Sequence, residues 1–125
     1  MPIFIFVGAK YCHISRKMET VFAKKEVGEF YNYHFVCMRM DPTKVMENFR
    51  LTNWGISQVP CILFLDANRK IVERCNGYLD EKRIIEKGQK ALAAIEDENK
   101  QTPQSSPIQT LVKRITPKNL LTTFQ

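Results

Sequence analysis

Two short apolar runs, Ile3–Ala9 and Val59–Leu65, set the frame within which the rest of this chain must fold. Both are too short to cross a bilayer. Each reads as a strand buried on both faces of a sheet. Between them the apolar period becomes helical. From Cys12 onward, Ile14, Met18, Val21 and Phe22 fall on one helical face. A second short helical turn follows over Val27–Tyr31. His34–Met40 then returns to strand, with Phe35, Cys37 and Arg39 on one side and Val36, Met38 and Met40 on the other. Both sides are largely apolar, which predicts a strand inside a covered sheet.

Asp41-Pro42 predicts a helix start, with Asp as N-cap and Pro at the first helical position. Val45, Met46 and Phe49 supply its expected apolar face, and Gly55 suits a left-handed stop. After the strand Cys61–Leu65, Asp66–Arg69 reads as a hairpin turn and Lys70–Cys75 as the returning strand. Asn76-Gly77 turns again. Asp80 caps a last helix with Ile84, Ile85, Ala91, Leu92 and Ile95 inward, and Gly88 marks a close approach of that helix to the sheet. The order is β-α-β-α-β-β-α, an α/β domain over residues 1–95 with helices on both sheet faces. Residues 96–107 are polar and read as a linker. In 108–125, Ile108, Leu111, Val112 and Ile115 follow Ser106-Pro107 at helical spacing, and Leu120, Leu121 and Phe124 follow Thr116-Pro117. Such a short amphipathic extension folds back on the core or docks on another chain as a homodimer.

Nineteen basic and thirteen acidic residues give a net charge of +6. The excess is spread out, with no arginine-rich arm, zinc-finger spacing or RNA-binding signature, so nucleic acid is not an expected partner. No charged segment precedes the first apolar run, and the default expectation is a cytoplasmic chain. The cysteines are Cys12, Cys37, Cys61 and Cys75, with no C-x-x-C pair and no ligand spacing for a metal. Cys37 and Cys75 lie in strand-like runs and read as small buried apolar side chains.

Four features occur in register. The first is strand, turn, aromatic, cysteine: Phe6-Val7-Gly8-Ala9-Lys10-Tyr11-Cys12-His13-Ile14-Ser15. The second is Lys17-Met18-Glu19, Val21-Phe22, Glu26-Val27, Phe35-Val36 and Asp41. The third is Trp54-Gly55-Ile56-Ser57-Gln58-Val59-Pro60, followed by an apolar strand and Asp66. The fourth is Gly77 after the hairpin strand. Over Ile3–Ile95 the chain resembles the thioredoxin superfamily. The resemblance implies the thioredoxin fold with a central mixed sheet, here followed by a C-terminal helical tail. It also implies a cis peptide before Pro60. Two positions depart from the family pattern: Ser15 stands where the second cysteine would be, and Phe6 where a buried aspartate would be. The site therefore looks monothiol, as in the C-x-x-S glutaredoxins.

The resemblance implies Cys12 as nucleophile at a helix N-terminus, where free N–H groups favour the thiolate. Ser15 and His13 are its expected stabilisers, with Lys10, Arg16 and Lys17 nearby in sequence. Tyr11 would shield one side, and Val59 and Pro60 would form the substrate-binding edge. The expected substrate is a protein disulfide or a glutathione mixed disulfide. Cys61 is the internal candidate for a resolving thiol, although a buried strand residue is the favoured reading. No resident cofactor is expected, with glutathione at most a co-substrate. A second reading is a redox-inactive thioredoxin-fold module that binds a partner protein through the groove around Tyr11, Pro60 and Tyr78 or through the C-terminal helices. A third, by analogy with C-x-x-S glutaredoxins alone, is iron–sulfur ligation by a glutathione-sharing dimer.

Overall fold

The computed structural model describes residues 1–101. The elements run β1 (Ile3–Val7), α1 (His13–Phe22), α2 (Lys25–His34), β2 (Val36–Met40), α3 (Val45–Asn53), β3 (Cys61–Leu65), β4 (Ile71–Asn76) and α4 (Glu81–Gln101). The sheet order is β2-β1-β3-β4. β1 and β2 are parallel, joined by the α1–α2 crossover. β3 is antiparallel to both β1 and β4. The two apolar runs of the sequence are thus the two central strands, and every residue of β3 is buried.

Alternation along the strands splits the interior in two. On one face, Phe4, Phe6, Phe35, Phe64 and Ile62 pack under α1, α2 and α4, through Met18, Phe22, Val27, Tyr31, Ile84 and Ala91. Tyr31 anchors this layer. Its ring lies 4.3 Å from that of Phe4, and its hydroxyl donates to the Ile84 carbonyl at 2.5 Å. On the other face, Ile5, Val7, Cys61, Leu63 and Leu65 pack with Met40, Leu51 and Ile56.

The last helix starts as expected. Asp80 Oδ1 accepts the Arg83 N–H at 2.9 Å, and the Asp80 carbonyl accepts the Ile84 N–H. The helix continues through Gln101, six residues beyond the expected boundary at residue 95. Burial of Ile95 and the Lys70–Glu98 ion pair at 3.3 Å hold this end to the body. Residues 102–125 carry the rest of the expected linker and the whole extension with its dimer expectation, and lie outside the described residues.

Four local expectations are corrected. The turn after α1 is a full helix of ten residues running through His34, so the next strand begins only at Val36. That strand lies at the sheet edge, and Met38 and Arg39 are exposed. Ile14 is 42% exposed, because α1 turns Ser15, Met18, Val21 and Phe22 inward. Gly88 meets α2 rather than the sheet: a Cβ there would lie 2.5 Å from Phe30 and 2.9 Å from the Tyr31 hydroxyl.

The largest correction concerns α3. Asp41 does not cap it. Its Oδ1 instead accepts the Thr43 N–H at 2.9 Å and the Thr43 hydroxyl at 2.7 Å. This side-chain turn consumes the residues up to Lys44, the observed N-cap. At the other end the Gly55 N–H donates to the Thr52 carbonyl and the Ile56 N–H to the Leu51 carbonyl. Gly55 has a φ of 74°, and this pattern is a Schellman motif. The motif brings Leu51 and Ile56 together against the sheet. Leu51 is therefore the buried residue of α3, and Val45, Met46 and Phe49 face out.

Candidate functional site

The candidate site lies at the C-terminal end of β1. Gly8, Ala9, Lys10 and Tyr11 turn the chain there, and the Cys12 N–H closes the turn on the Ala9 carbonyl at 3.0 Å. Cys12 is the N-cap of α1, with extended φ and ψ of −90° and 116°. Its side chain is half-buried. Its sulfur thus sits where the first N–H groups of a helix point outward.

Ser15 lies one turn further along. It is buried, and its hydroxyl makes no hydrogen bond within the described residues. A buried hydroxyl without a partner carries a desolvation cost, which is offset when a thiolate at Cys12 accepts a hydrogen bond from the Ser15 hydroxyl. This hydrogen bond is the largest cause holding the Cys12 thiol below its ordinary value. The backbone N–H of Ser15 adds to it, partial desolvation opposes it, and the Ile14 N–H and the Arg16 charge assist. The cation acting on Cys12 is thus Arg16, whose guanidinium is fixed by donation to the Lys10 carbonyl at 2.6 Å. His13 occupies the first helical position and is exposed.

The loop before β3 closes the site from the opposite side. The Val59–Pro60 peptide is cis, and the Cys12 thiol is directed at the Val59 carbonyl, 4.0 Å from the sulfur. Pro60 is buried, and its carbonyl accepts the Gly77 N–H at 2.9 Å, which ties the loop to the turn after β4. Gly77 has a φ of 93°, so the turn suits a residue without a Cβ. Tyr11 is 71% exposed beside the cysteine. Tyr78 follows Gly77 and carries the Lys17 ammonium 4.6 Å over its ring.

The other thiols sit differently. Cys61 is buried in the second core, on β3 opposite Val7, and burial pushes its thiol up to about 11. Cys37 is buried in the first core and pushed up to about 12. Cys75 is half-buried at the β4 position paired with Ile62. All four cysteines are free.

Phe6 occupies the floor below the site. It is buried, with the Arg39 guanidinium 5.9 Å from its ring, and Arg39 pairs with Glu19 of α1. Gly8 was not singled out by its sequence context, yet it sets this floor. A Cβ at Gly8 would lie 2.7 Å from Phe6 Cζ and 3.4 Å from Ser15 Cβ. The absence of a side chain lets the phenyl ring and Ser15 pack together beneath Cys12. A glycine directly after a buried strand was the available signal.

A thioredoxin-like family model matches residues 1–67, over half of the chain and including every element from β1 to β3. The chain belongs to the thioredoxin-like family. Its fold is that of thioredoxin, with the mixed four-stranded sheet and C-terminal helix. Similar solved structures include a thioredoxin from Thermus thermophilus, with a TM-score of 0.68, 13% identity and 75% of each chain covered. The oxidised C-terminal domain of DsbD from Neisseria meningitidis superposes with a TM-score of 0.63 at 15% identity, covering 72% of this chain and 79% of that one. The germline-specific thioredoxin Deadhead from Drosophila melanogaster gives 0.59 at 21% identity, covering 71% and 79%. No curated protein sequence matches the chain. No helix among the described residues is long and apolar enough to cross a membrane.

Proposed function

We propose that this thioredoxin-like chain carries out monothiol thiol–disulfide exchange through Cys12. The observation that carries the proposal is the pairing of a half-buried Cys12 at a helix N-terminus with a buried Ser15 hydroxyl that has no other partner among the described residues. The Cys12 thiolate attacks one sulfur of a disulfide. A bond forms between that sulfur and Cys12, the original S–S bond breaks, and the leaving thiolate takes a proton from solvent. Ser15 holds the attacking anion, with Arg16 beside it, and His13 lines the approach. Tyr11 and the Val59–Pro60 loop border the space a substrate strand would occupy.

Ser15 has no thiol with which to expel the bound partner. A second, external thiol such as glutathione attacks the mixed disulfide, leaving with the substrate sulfur and restoring the Cys12 thiolate. Cys61 is a poor substitute, since its buried thiol is held protonated and only a thiolate attacks. Support for the general chemistry also comes from similar folds in a thioredoxin and in the C-terminal domain of DsbD, solved in an oxidised form.

A redox-inactive binding module is the competing reading, favoured by Phe6, which leaves a phenyl ring and no carboxylate below Cys12. The pH dependence of Cys12 alkylation by iodoacetamide separates the two, with Cys12→Ser as control. Exchange chemistry requires a midpoint below the ordinary thiol value of about 8.5. A midpoint at or above that value, or no reaction in the native state, overturns the exchange reading and leaves the binding module.

A further inference from the structure

We infer that the outer face of α3 is a docking surface for an apolar, acidic segment of a partner protein, delivering that partner's disulfide to Cys12. The inference rests on the exchange reading for the identity of the reacting group and on separate observations for the surface. Val45, Met46 and Phe49 are 82%, 80% and 67% exposed. They share one side of α3, while the opposite side turns Leu51 and the half-buried Glu47 and Trp54 toward the sheet. The helix thus shows three of its four large apolar side chains to solvent and draws a carboxylate inward. Glu47 is held there by the Asp41 N–H at 3.4 Å. Packing within the described residues accounts for Leu51 and leaves the outer strip unused. Unused apolar strips of this kind mark interaction sites.

The N-terminal end of the helix that carries the strip adjoins the site. A cleft of about 160 Å³ is lined on one side by Gly8, Ala9 and Lys10 and on the other by Asp41, Lys44 and Glu47. The first turn of α3 therefore borders the loop that leads directly into Tyr11 and Cys12. A polypeptide lying along α3 and continuing past its N-terminal end would meet that loop, which leads on to Tyr11, itself 71% exposed.

Charge selects the occupant. Lys44 and Arg50 on the helix, and Lys10 across the cleft from Lys44, are exposed. Two carboxylates stand near them, but Asp41 is turned to Thr43 and Glu47 to the Asp41 N–H, on the side of the helix away from the strip, so the strip itself is flanked by cations. The chain's own segment 102–125 is apolar enough to cover the strip, but it carries Lys113, Arg114 and Lys118 and no acidic residue. A second copy brings another net charge of +6. Both are repelled by the cations that would attract an acidic partner.

The test uses the full chain and two synthetic peptides, each with leucine and phenylalanine at helical spacing and one cysteine held as a disulfide with thionitrobenzoate. One peptide carries glutamates between the apolar positions and the other lysines. Release of thionitrobenzoate is followed against a small-molecule aryl disulfide. The acidic peptide is expected to react about tenfold or more faster than the basic one at low salt, a preference that falls away at high salt. In V45S/M46S/F49S the ratio of the acidic peptide's rate to the small disulfide's rate falls toward that of the basic peptide. Equal peptide rates, or a ratio that the triple variant leaves in place, overturn the inference. Hydroxyl-radical footprinting reports on the other occupants: Met46 and Phe49 are expected to oxidise readily in the free chain. Protection lost on dilution means a second copy, protection at every dilution means segment 102–125, and either overturns the inference. If even the small disulfide fails to react with Cys12, the exchange reading falls by itself. Fluorescence anisotropy of the acidic peptide with serine for cysteine then decides the surface: binding lost in the triple variant supports it, and no binding overturns it.

Discussion

The Cys12 sulfur and the Val59 carbonyl, 47 residues apart in the chain, lie 4.0 Å from each other at the mouth of the site. Two separate pieces of fold meet there. The N-terminus of α1 is aimed by β1 through the Gly8–Tyr11 turn, and the Val59–Pro60 loop is tied by its Pro60 carbonyl to Gly77. On the proposed exchange reading, the first piece supplies the anion and the second the backbone beside which a substrate would lie.

The thiolate depends on Ser15, which gives the first prediction. The fold lowers the Cys12 value, so the anion populates at a lower pH than in the unfolded chain. Alkylation should rise through a midpoint below about 8.5. Ser15→Ala should move that midpoint upward and slow the reaction at neutral pH, while Cys12→Ser removes it. The same linkage has a stability side: between the folded and unfolded values the unfolded state binds more protons, so stability rises with pH. Urea titrations across that window should show the rise in the parent chain and a flatter profile in Cys12→Ser.

Ser15→Cys should convert the site to a dithiol. Residues three apart on a helix are close neighbours, about 5–6 Å between Cβ atoms, within reach of a disulfide once the first turn adjusts. The parent chain treated with oxidised glutathione is expected to hold the mixed disulfide on Cys12, visible as a stable mass increase. Ser15→Cys should instead release glutathione and end as an internal disulfide lighter by two hydrogens. A mixed disulfide equally persistent in both proteins would show that position 15 does not reach the bound sulfur.

The fold was legible in the sequence where periodicity and burial coincide. β1 and β3 are apolar at every position, and the α4 cap at Asp80 sits directly before its inward residues. Cys12 could be placed because a helical period begins immediately after it. Legibility failed where a local side-chain contact decides the register. The Asp41–Pro42 pair carries every mark of a helix start, but Thr43 captures the Asp41 carboxylate and α3 begins at Val45. Apolar residues in α3 then read as core when they face solvent, because nothing in a period of three or four says which partner a strip will meet. The nearness of Ser15 to Cys12 was legible from their spacing on the helix. The burial of Ser15 depends on the close approach of Gly8, Phe6 and α1, and is a tertiary property.

The helix–helix contact at Gly88 should tolerate no added methyl. Alanine would gain about 1 kcal/mol in helix propensity. Against this, its Cβ would press on Phe30 and on the Tyr31 hydroxyl, at 2.5 and 2.9 Å, and overpacking costs about 1–3 kcal/mol. Tyr31 cannot yield freely, because its hydroxyl is bound to the Ile84 carbonyl. Gly88→Ala is expected to lose about 1–2 kcal/mol net in chemical denaturation. Tyr31→Phe removes the hydrogen bond while keeping the ring, and should cost about 1 kcal/mol. If Gly88→Ala stabilises the chain, α4 and α2 are not in close contact there.

The orientation of α3 can be read from stability alone. Leu51 is 1% exposed and packs with Ile56 in the second core, so Leu51→Ala should cost about 2–5 kcal/mol through lost burial and the cavity left behind. Phe49, two positions away and larger, is 67% exposed, and Phe49→Ser should change stability by about 0.5 kcal/mol or less. A sequence-based face for this helix predicts the reverse order, with Phe49 the costly position. Urea denaturation of the two variants decides between them. A large loss at Phe49 with a small one at Leu51 would rotate α3 by about half a turn and remove the exposed apolar strip beside the site.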